Sequence, residues 1–400
     1  MERPVSTTGP GGGPLAGVRV LELGSFIAGP FSGQLLGDYG ADVIKVEDPS
    51  TGDPMRTWGI TVDGDSLWWP AIARNKRSVA VDLRDPAARD VVRRLASQCD
   101  IVVENFRPGR LDAWGLGYEE LAKENPGLVM VKVTGFGQTG PYSDRPGFGT
   151  LAEVFSGFAA LTGEHDGPPT LPAFGLADGV AALSGVYAAL AAIHYRDHAG
   201  DGRGQVVDVS LYEPLFSILG PQVIEYDQLG IVQERQGNRS PRTAPRNAYR
   251  TSDDRWVALS AGTQQIADRI LAAVERPDLA SDPRFSSPAA RHENADAVDA
   301  IVADWIGTHP LDEVLASFQR HQAPIAPAYT TDQIVNDPQY LARESVITVE
   351  DPDLGPVRMQ NVVPRLTATP GRIRSTGATE IDHDREEILA MLQERRKGSA

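Results

Sequence analysis

Val18-Arg19-Val20-Leu21-Glu22-Leu23-Gly24-Ser25-Phe26-Ile27-Ala28-Gly29-Pro30 decides how the chain folds. The first six residues have the branched, apolar character of a strand. The next six make a glycine-bounded turn, and Pro30 suits the first turn of a helix running to Tyr39. Asp42 to Val46 then reads as a second strand, which completes a βαβ unit and implies an α/β fold with a Rossmann-like parallel sheet. Ligands of such sheets bind outside the carboxyl ends of the strands, so the turn Gly24 to Gly29 is the first place to expect one. Glu47 ends the second strand about where a dinucleotide-binding fold carries its ribose-binding acid. The Gly-x-Gly-x-x-Gly pattern is absent, however, and leaves little for an NAD reading to rest on.

Working outward, Ser78 to Leu83, Ile101 to Val103, Leu128 to Val133 and Val206 to Leu211 read as further strands, with helices over Pro86 to Cys99 and Phe155 to Thr162. Arg74-Asn75-Lys76-Arg77 precedes the first of these strands, and Asn105-Phe106-Arg107-Pro108-Gly109-Arg110 follows the second. In a chain of formal charge −16 these loops supply the local positive contacts that an anionic ligand needs. The bland alternative is a pair of solvated turns. Gly135-Phe136-Gly137-Gln138-Thr139-Gly140 follows another strand, and its glycines let backbone N–H groups approach a developing oxyanion, unless the loop is merely flexible.

Composition shifts near Asp227. The basic, proline-containing loop Gly237 to Asn247, a strand over Trp256 to Leu259, and helices over Gln264 to Val274, Pro288 to Thr308 and Leu311 to His321 predict a smaller α+β domain. The residues over 1–13 read as a flexible arm.

Phe174-Gly175-Leu176-Ala177-Asp178-Gly179 leads into a helix over Val180 to His194 in which Ala181, Ala182, Ser184, Gly185, Ala188, Ala189, Ala191 and Ala192 carry little side-chain bulk. Other backbone can approach such a helix closely. Asp178 at its start is open to two readings: an N-cap accepting the orphan N–H groups of the first turn, or a nucleophile held ionised by the helix dipole.

The totals narrow the choice. Four hundred residues with 41% hydrophobic and 23% charged residues suit a globular protein of more than one core. The acidic charge argues against nucleic acid or an anionic membrane as partner. Gly179 to Ile193, the most apolar run, is shorter than a bilayer-crossing helix, and no secretory signal is visible. The single cysteine, Cys99, fits a cytoplasmic location, and the seven histidines form no metal-binding pattern.

Several segments in order resemble the class III CoA-transferases, which include formyl-CoA transferase and the carnitine CoA-transferase. They are Leu15 to Glu22, Ala28-Gly29-Pro30, Gly40 to Glu47, Asn75 to Ser78, Glu104 to Gly109, Gly135 to Pro141 and Gly202 to Gln205. The similarity runs from about Leu15 to about Leu392. It implies a large Rossmann-like domain built from both chain ends, over 14–227 and 336–400, a small α+β domain over 228–335, an interlocked homodimer, no permanently bound cofactor, and acyl-CoA and a carboxylic acid as small-molecule substrates. It also implies that Asp178 is the nucleophile and that Asn75, Lys76, Asn105 and Phe106 line the CoA site. Ala28, Arg77 and Phe136 belong to the matched segments and join that expected CoA-binding set. Arg107 and Arg110 are assigned phosphate contact from charge and position, because an arginine of the family is here Ala113. Gly137 and Gln138 are the expected oxyanion helpers beside Asp178, with the Gly179 N–H as another candidate donor.

The match departs from formyl-CoA transferase at Ser25 and Ile27, where that enzyme has His and Gln, and at the Gly237 to Asn247 loop, which stands where it has oligoglycine. The expected chemistry is CoA transfer through a covalent aspartyl intermediate. The rival that shares the fold is a 2-methylacyl-CoA racemase, which needs a His and an Asp facing one carbon, and the rival of a different class is a non-catalytic, CoA-binding partner subunit.

Overall fold

The computed structural model describes residues 12–398. The chain divides into two compact units. One takes the chain up to Phe158, Pro172–Gly220 and everything from Gln339, and the other takes Ala159–Leu171 and Pro221–Pro338. The segment 159–171, which the sequence reading left in the large domain, thus belongs to the second unit. Apart from Gly12 and Gly13, the expected arm over 1–13 lies outside the described residues.

The first unit is built on six strands: β1 (Arg19–Glu22), β2 (Asp42–Glu47), β3 (Lys76–Ala80), β4 (Ile101–Glu104), β5 (Val129–Thr134) and β6 (Val206–Ser210). Their order is β3-β2-β1-β4-β5-β6 and every pairing is parallel. That is the doubly wound order whose direction reverses between β1 and β4, opening a crevice at their carboxyl ends. Because both faces are covered, the strands read as apolar runs: Val20, Leu21, Ile44, Ile101 and Val102 are all inaccessible.

Five helices of this unit bear on the crevice or its supports: α1 (Ala28–Asp38), α2 (Arg89–Ala96), α3 (Gly149–Phe155), α4 (Leu176–His194) and α5 (Tyr212–Ser217). The helix predicted over Phe155 to Thr162 lies instead mostly upstream as α3, with only a short turn at Phe158–Leu161. Helix α4 packs on β5 and β6. Its alanines make this possible: Ala177, Ala181, Ala182 and Ala189 are fully buried, and a Cβ on Gly185 would stand 3.2 Å from Val131.

Helix α4 runs on without a break through a π-helical turn at Tyr195–Ala199, giving a 24-residue helix in which an 18-residue stretch reaches mean hydropathy 1.7. By length and composition alone it is long and apolar enough to cross a membrane. Its buried alanine face against the sheet is that of a core helix.

In the second unit, α6 (Gln222–Leu229) precedes the antiparallel strands β7 (Arg246–Arg250) and β8 (Trp256–Ser260). Helices α7 (Gln264–Ala273), α8 (Ala295–Gly307) and α9 (Leu311–Arg320) follow, and β9 (Ala326–Pro327) closes the order β9-β8-β7. Ile270, Val302, Ile306, Val314 and Phe318 form its core. The chain then returns to the first unit with the hairpin β10 (Val346–Asp351) and β11 (Gly355–Gln360), and with α10 (Arg385–Gly398), whose Ile388 and Leu392 pack beside Val79 and Leu95.

Candidate active site

A cavity of about 770 Å³ opens at the carboxyl ends of β1, β4 and β5, where the strand order predicts a ligand site. Its walls come from the turn after β1 (Ser25 to Ala28), the loop after β4 (Asn105 to Pro108), the end of β5 (Val133 to Gly135), the stretch from Arg145 into α3, and the start of α4 with Asp178.

The turn after β1 is held rigidly. The Asn105 side chain accepts from the Ser25 N–H at 2.9 Å and donates to the Ser25 carbonyl at 2.8 Å. Phe26 adopts a left-handed conformation, φ 64°, and its N–H points at Asp53 Oδ1. Beneath it, Lys45 Nζ pairs with Glu22 at 2.8 Å and Asp53 at 2.7 Å and donates to the Gly24 carbonyl at 3.0 Å. Lys76 completes this buried network with Glu22 Oε2 at 2.7 Å and the Pro30 carbonyl at 2.6 Å. Burial, only partly offset by Glu22, brings the Lys76 ammonium down to a pKa of about 8.

The opposite wall depends on two backbones in contact. A Cβ on Gly135 would lie 2.6 Å from the Gly147 Cα, so glycine at both positions lets the loop before α3 close over the end of β5. At the start of α3, a Cβ on Gly149 would fall 2.2 Å from Asp178 Oδ2. Only a glycine leaves that carboxylate where it is.

Asp178 is not the N-cap of α4. The helix begins at Leu176, its cap position is Gly175, and no side chain of the cap residue bonds to it. Glu153, 2% exposed on α3, takes the capping role from across the cavity: its Oε1 accepts from Leu176 N–H at 3.1 Å and Ala177 N–H at 3.3 Å. No described residue donates a hydrogen bond to the Asp178 carboxylate. Burial, and then the charge of Glu153, raise its pKa to about 6. It remains mostly ionised at neutral pH and is more basic than an ordinary aspartate.

The expected site residues divide into two groups. Asp178, Ala28, Asn105, Phe106 and Arg107 come together on the cavity. Phe106 is braced edge-on by Trp114 at 5.5 Å, and Arg110 sits over that same indole at 5.4 Å, behind the loop. Asn75, Lys76 and Arg77 do not line this cavity, and their side chains are engaged by other residues of the first unit. Asn75 bonds to Asp38 and to backbone of 372 and 374, Lys76 to Glu22, and Arg77 to Asp42 at 2.5 Å and Glu387 at 2.9 Å.

Gly137 and Gln138, the expected oxyanion helpers, do not line this cavity either. The Gln138 N–H is shared by both Asp208 carboxylate oxygens at 3.1 Å, and Gly137 makes the left-handed turn, φ +83°, beside it. Phe136 packs against Phe155 and Tyr142 rather than on the cavity. The Gly179 N–H is spent within α4, on the Gly175 carbonyl. Gly135 alone of that loop lines the cavity.

Three contributors were missed from sequence: Glu153, Gly149 and Arg145. Arg145 lines the cavity with its guanidinium 3.6 Å from the Tyr142 ring centre. Gly147-Phe148-Gly149 followed by a lone Glu153 was the available signal, but only the fold brings it opposite Asp178. No histidine lines the cavity. Among the described residues, no group of three or more His, Cys, Asp or Glu side chains could hold a metal ion.

Comparison with known proteins agrees with this architecture. The succinyl-CoA–D-citramalate CoA-transferase of Chloroflexus aurantiacus is 46% identical over 394 residues, covering 96% of this chain and 98% of that protein. The succinate–glutarate CoA-transferase of Agrobacterium fabrum is 35% identical, covering 85% and 86%. Among solved structures, a CAIB/BAIF family protein from Brucella suis superposes with TM-score 0.83 at 33% identity, covering 95% of this chain and all of the other. The family model described as CoA-transferase family III matches residues 15–379, and the chain belongs to that family of CoA-transferring enzymes.

Proposed function

We propose that the protein moves CoA from an acyl-CoA donor to a carboxylic acid through a covalent intermediate on Asp178. The observation that carries this reading is the Asp178 carboxylate itself: it lines the crevice, accepts no hydrogen bond from the described residues, and is raised in basicity by burial. Asp178 Oδ attacks the thioester carbonyl and the C–S bond breaks, leaving a mixed anhydride and CoA thiolate. The thiolate attacks the Asp178 carbonyl carbon and releases the donor acid, leaving an aspartyl-CoA thioester. The acceptor carboxylate attacks that thioester and expels CoA thiolate, which then attacks the acceptor's acyl carbon and restores Asp178. Each covalent step replaces an encounter of two free solutes by one with a fixed group.

Asn105, Phe106, Arg107 and Ala28 form the wall assigned to CoA, with Arg107 as its phosphate contact. Succinyl-CoA is the donor to test first and a dicarboxylic acid such as D-citramalate the acceptor, since relatives at 46% and 35% identity carry those activities in their names. The absence of histidine from the cavity wall counts against the racemase chemistry, which needs a second acid/base group.

An interlocked homodimer is part of the proposal. In the second unit Ile224, Leu229 and Val232 are 65%, 71% and 73% exposed, an apolar surface that a second chain would cover. The unpaired, buried Cys99 suits a cytoplasmic enzyme.

The test is peptide mass spectrometry of the purified chain after incubation with succinyl-CoA and hydroxylamine. A hydroxamate on the peptide carrying Asp178 supports the covalent route. Transfer activity with no such adduct overturns it. Activity that appears only with a second, unlike chain would favour the partner-subunit reading.

A further inference from the structure

We propose that Glu153 is a positioning residue that takes over the cap of α4 and thereby leaves Asp178 free, beside a like charge that acylation of Asp178 relieves. The inference rests on the covalent reading above. The geometry is specific. An aspartate in the first turn of a helix would ordinarily turn back to the orphan N–H groups and be stabilised as an inert carboxylate. Here those of Leu176 and Ala177 are already taken by Glu153 Oε1, at 3.1 and 3.3 Å. Burial raises the Glu153 carboxyl above its ordinary value and the two helix donors oppose that, whereas Asp178 keeps its charge without such donors.

The like charge acts in one direction. Free Asp178 bears a negative charge near Glu153, whereas the anhydride and thioester formed on it are neutral at that position. Repulsion is present before attack and gone after it, so the neighbour favours the acylated enzyme over the free carboxylate. The same repulsion is a physical cause of the raised basicity of Asp178.

No other charge in the surroundings does this. Of the elements packed on α4, α1 carries Asp38, which is paired with Arg74 at 2.6 Å. Strand β5 carries Lys132, 3.7 Å from Asp112. Strand β6 carries Asp208, held by the Gln138 N–H, and α5 carries Tyr212 and Glu213, the latter bonded to the Ser210 hydroxyl at 2.6 Å. Arg107 and Arg145 are the cations of the cavity wall, and neither is paired with a carboxylate among the described residues. Glu153 is the charged side chain that bears on Asp178.

Glu153→Gln separates the two roles, because the amide oxygen still accepts the N–H bonds while the charge is lost. The experiment measures the rate of hydroxamate trapping at Asp178 with succinyl-CoA, from pH 4.5 to 8, in the wild type and the variant. The wild type is expected to lose trapping on acidification with a midpoint near 6. E153Q is expected to move that midpoint down by about one unit and to slow trapping at neutral pH about three- to tenfold, with KM for the acyl-CoA within about twofold. Superimposable profiles overturn the proposal and leave the covalent route standing. If E153Q does not fold, the wild-type profile decides: a midpoint in the ordinary aspartate range, near 4, overturns it. Absence of any adduct while transfer persists overturns the covalent reading, and this proposal with it.

Discussion

Gly149→Ala is the most direct way to move the nucleophile without touching it. The added Cβ would stand 2.2 Å from Asp178 Oδ2 and 3.0 Å from Asp178 Cγ. An ordinary non-bonded separation is about 3.5 Å, so the carboxylate must retreat by roughly 1 Å. A displacement of that size at a reacting group costs on the order of 100-fold in rate, or about 2.7 kcal/mol at ~1.36 kcal/mol per decade. The fold should not suffer, since what is displaced is the end of one side chain. Gly149 opens α3 with no left-handed backbone requirement, and alanine in a helix is favoured over glycine by roughly 0.5–1 kcal/mol. The assay is kcat/KM for CoA transfer from succinyl-CoA, followed chromatographically, together with the melting temperature of the same preparation. We expect activity to fall about 100-fold with the melting temperature unchanged or slightly raised. Wild-type kcat/KM in G149A would refute the argument, because the chemistry would then be indifferent to the position of Asp178.

Other outcomes follow from the same geometry. Asp178→Asn should abolish turnover and, checked for deamidation by mass spectrometry, raise the melting temperature at neutral pH. The folded-state pKa near 6 lies above the ordinary 3.8, so ionised Asp178 costs stability as pH rises through that window. The gain of D178N over wild type should therefore be absent below about pH 4 and complete above about pH 6 in denaturant titrations, on the order of 1–3 kcal/mol. Lys76→Met removes one cation from the buried Glu22 network and should destabilise the fold by about 3–5 kcal/mol, with KM for acyl-CoA unaltered in the folded fraction. Asn105→Ala deletes both bonds to Ser25 and should raise KM for acyl-CoA several-fold while costing about 1–2 kcal/mol in thermal denaturation.

Much of this was legible in the chain. Strand β1, the turn at Gly24 to Gly29 and strand β2 each obey a local pattern, so the βαβ unit and the ligand side of the sheet could be read directly. Asn105, Phe106, Arg107 and Asp178 sit immediately after a strand or at a helix start, where the doubly wound order points side chains into the crevice. Local basicity did not announce the pairing of Asn75, Lys76 and Arg77 with other elements. A run of cations reads as solvated or ligand-binding, and the sequence carries no sign that Glu22, Asp38 and Asp42, from other elements, would enclose it. Hydrophobic patterning placed the end of α4 at His194, where the α-helix ends and a π-helical turn over Tyr195–Ala199 follows.

The sequence by itself determined the strand-and-helix order, the crevice, and the carboxylate at the start of an alanine-rich helix. Only the tertiary structure decided what that carboxylate is free to do. Capping is a competition for two N–H groups, and the winner, Glu153, lies 25 residues before Asp178 on another helix, where no local pattern can announce it.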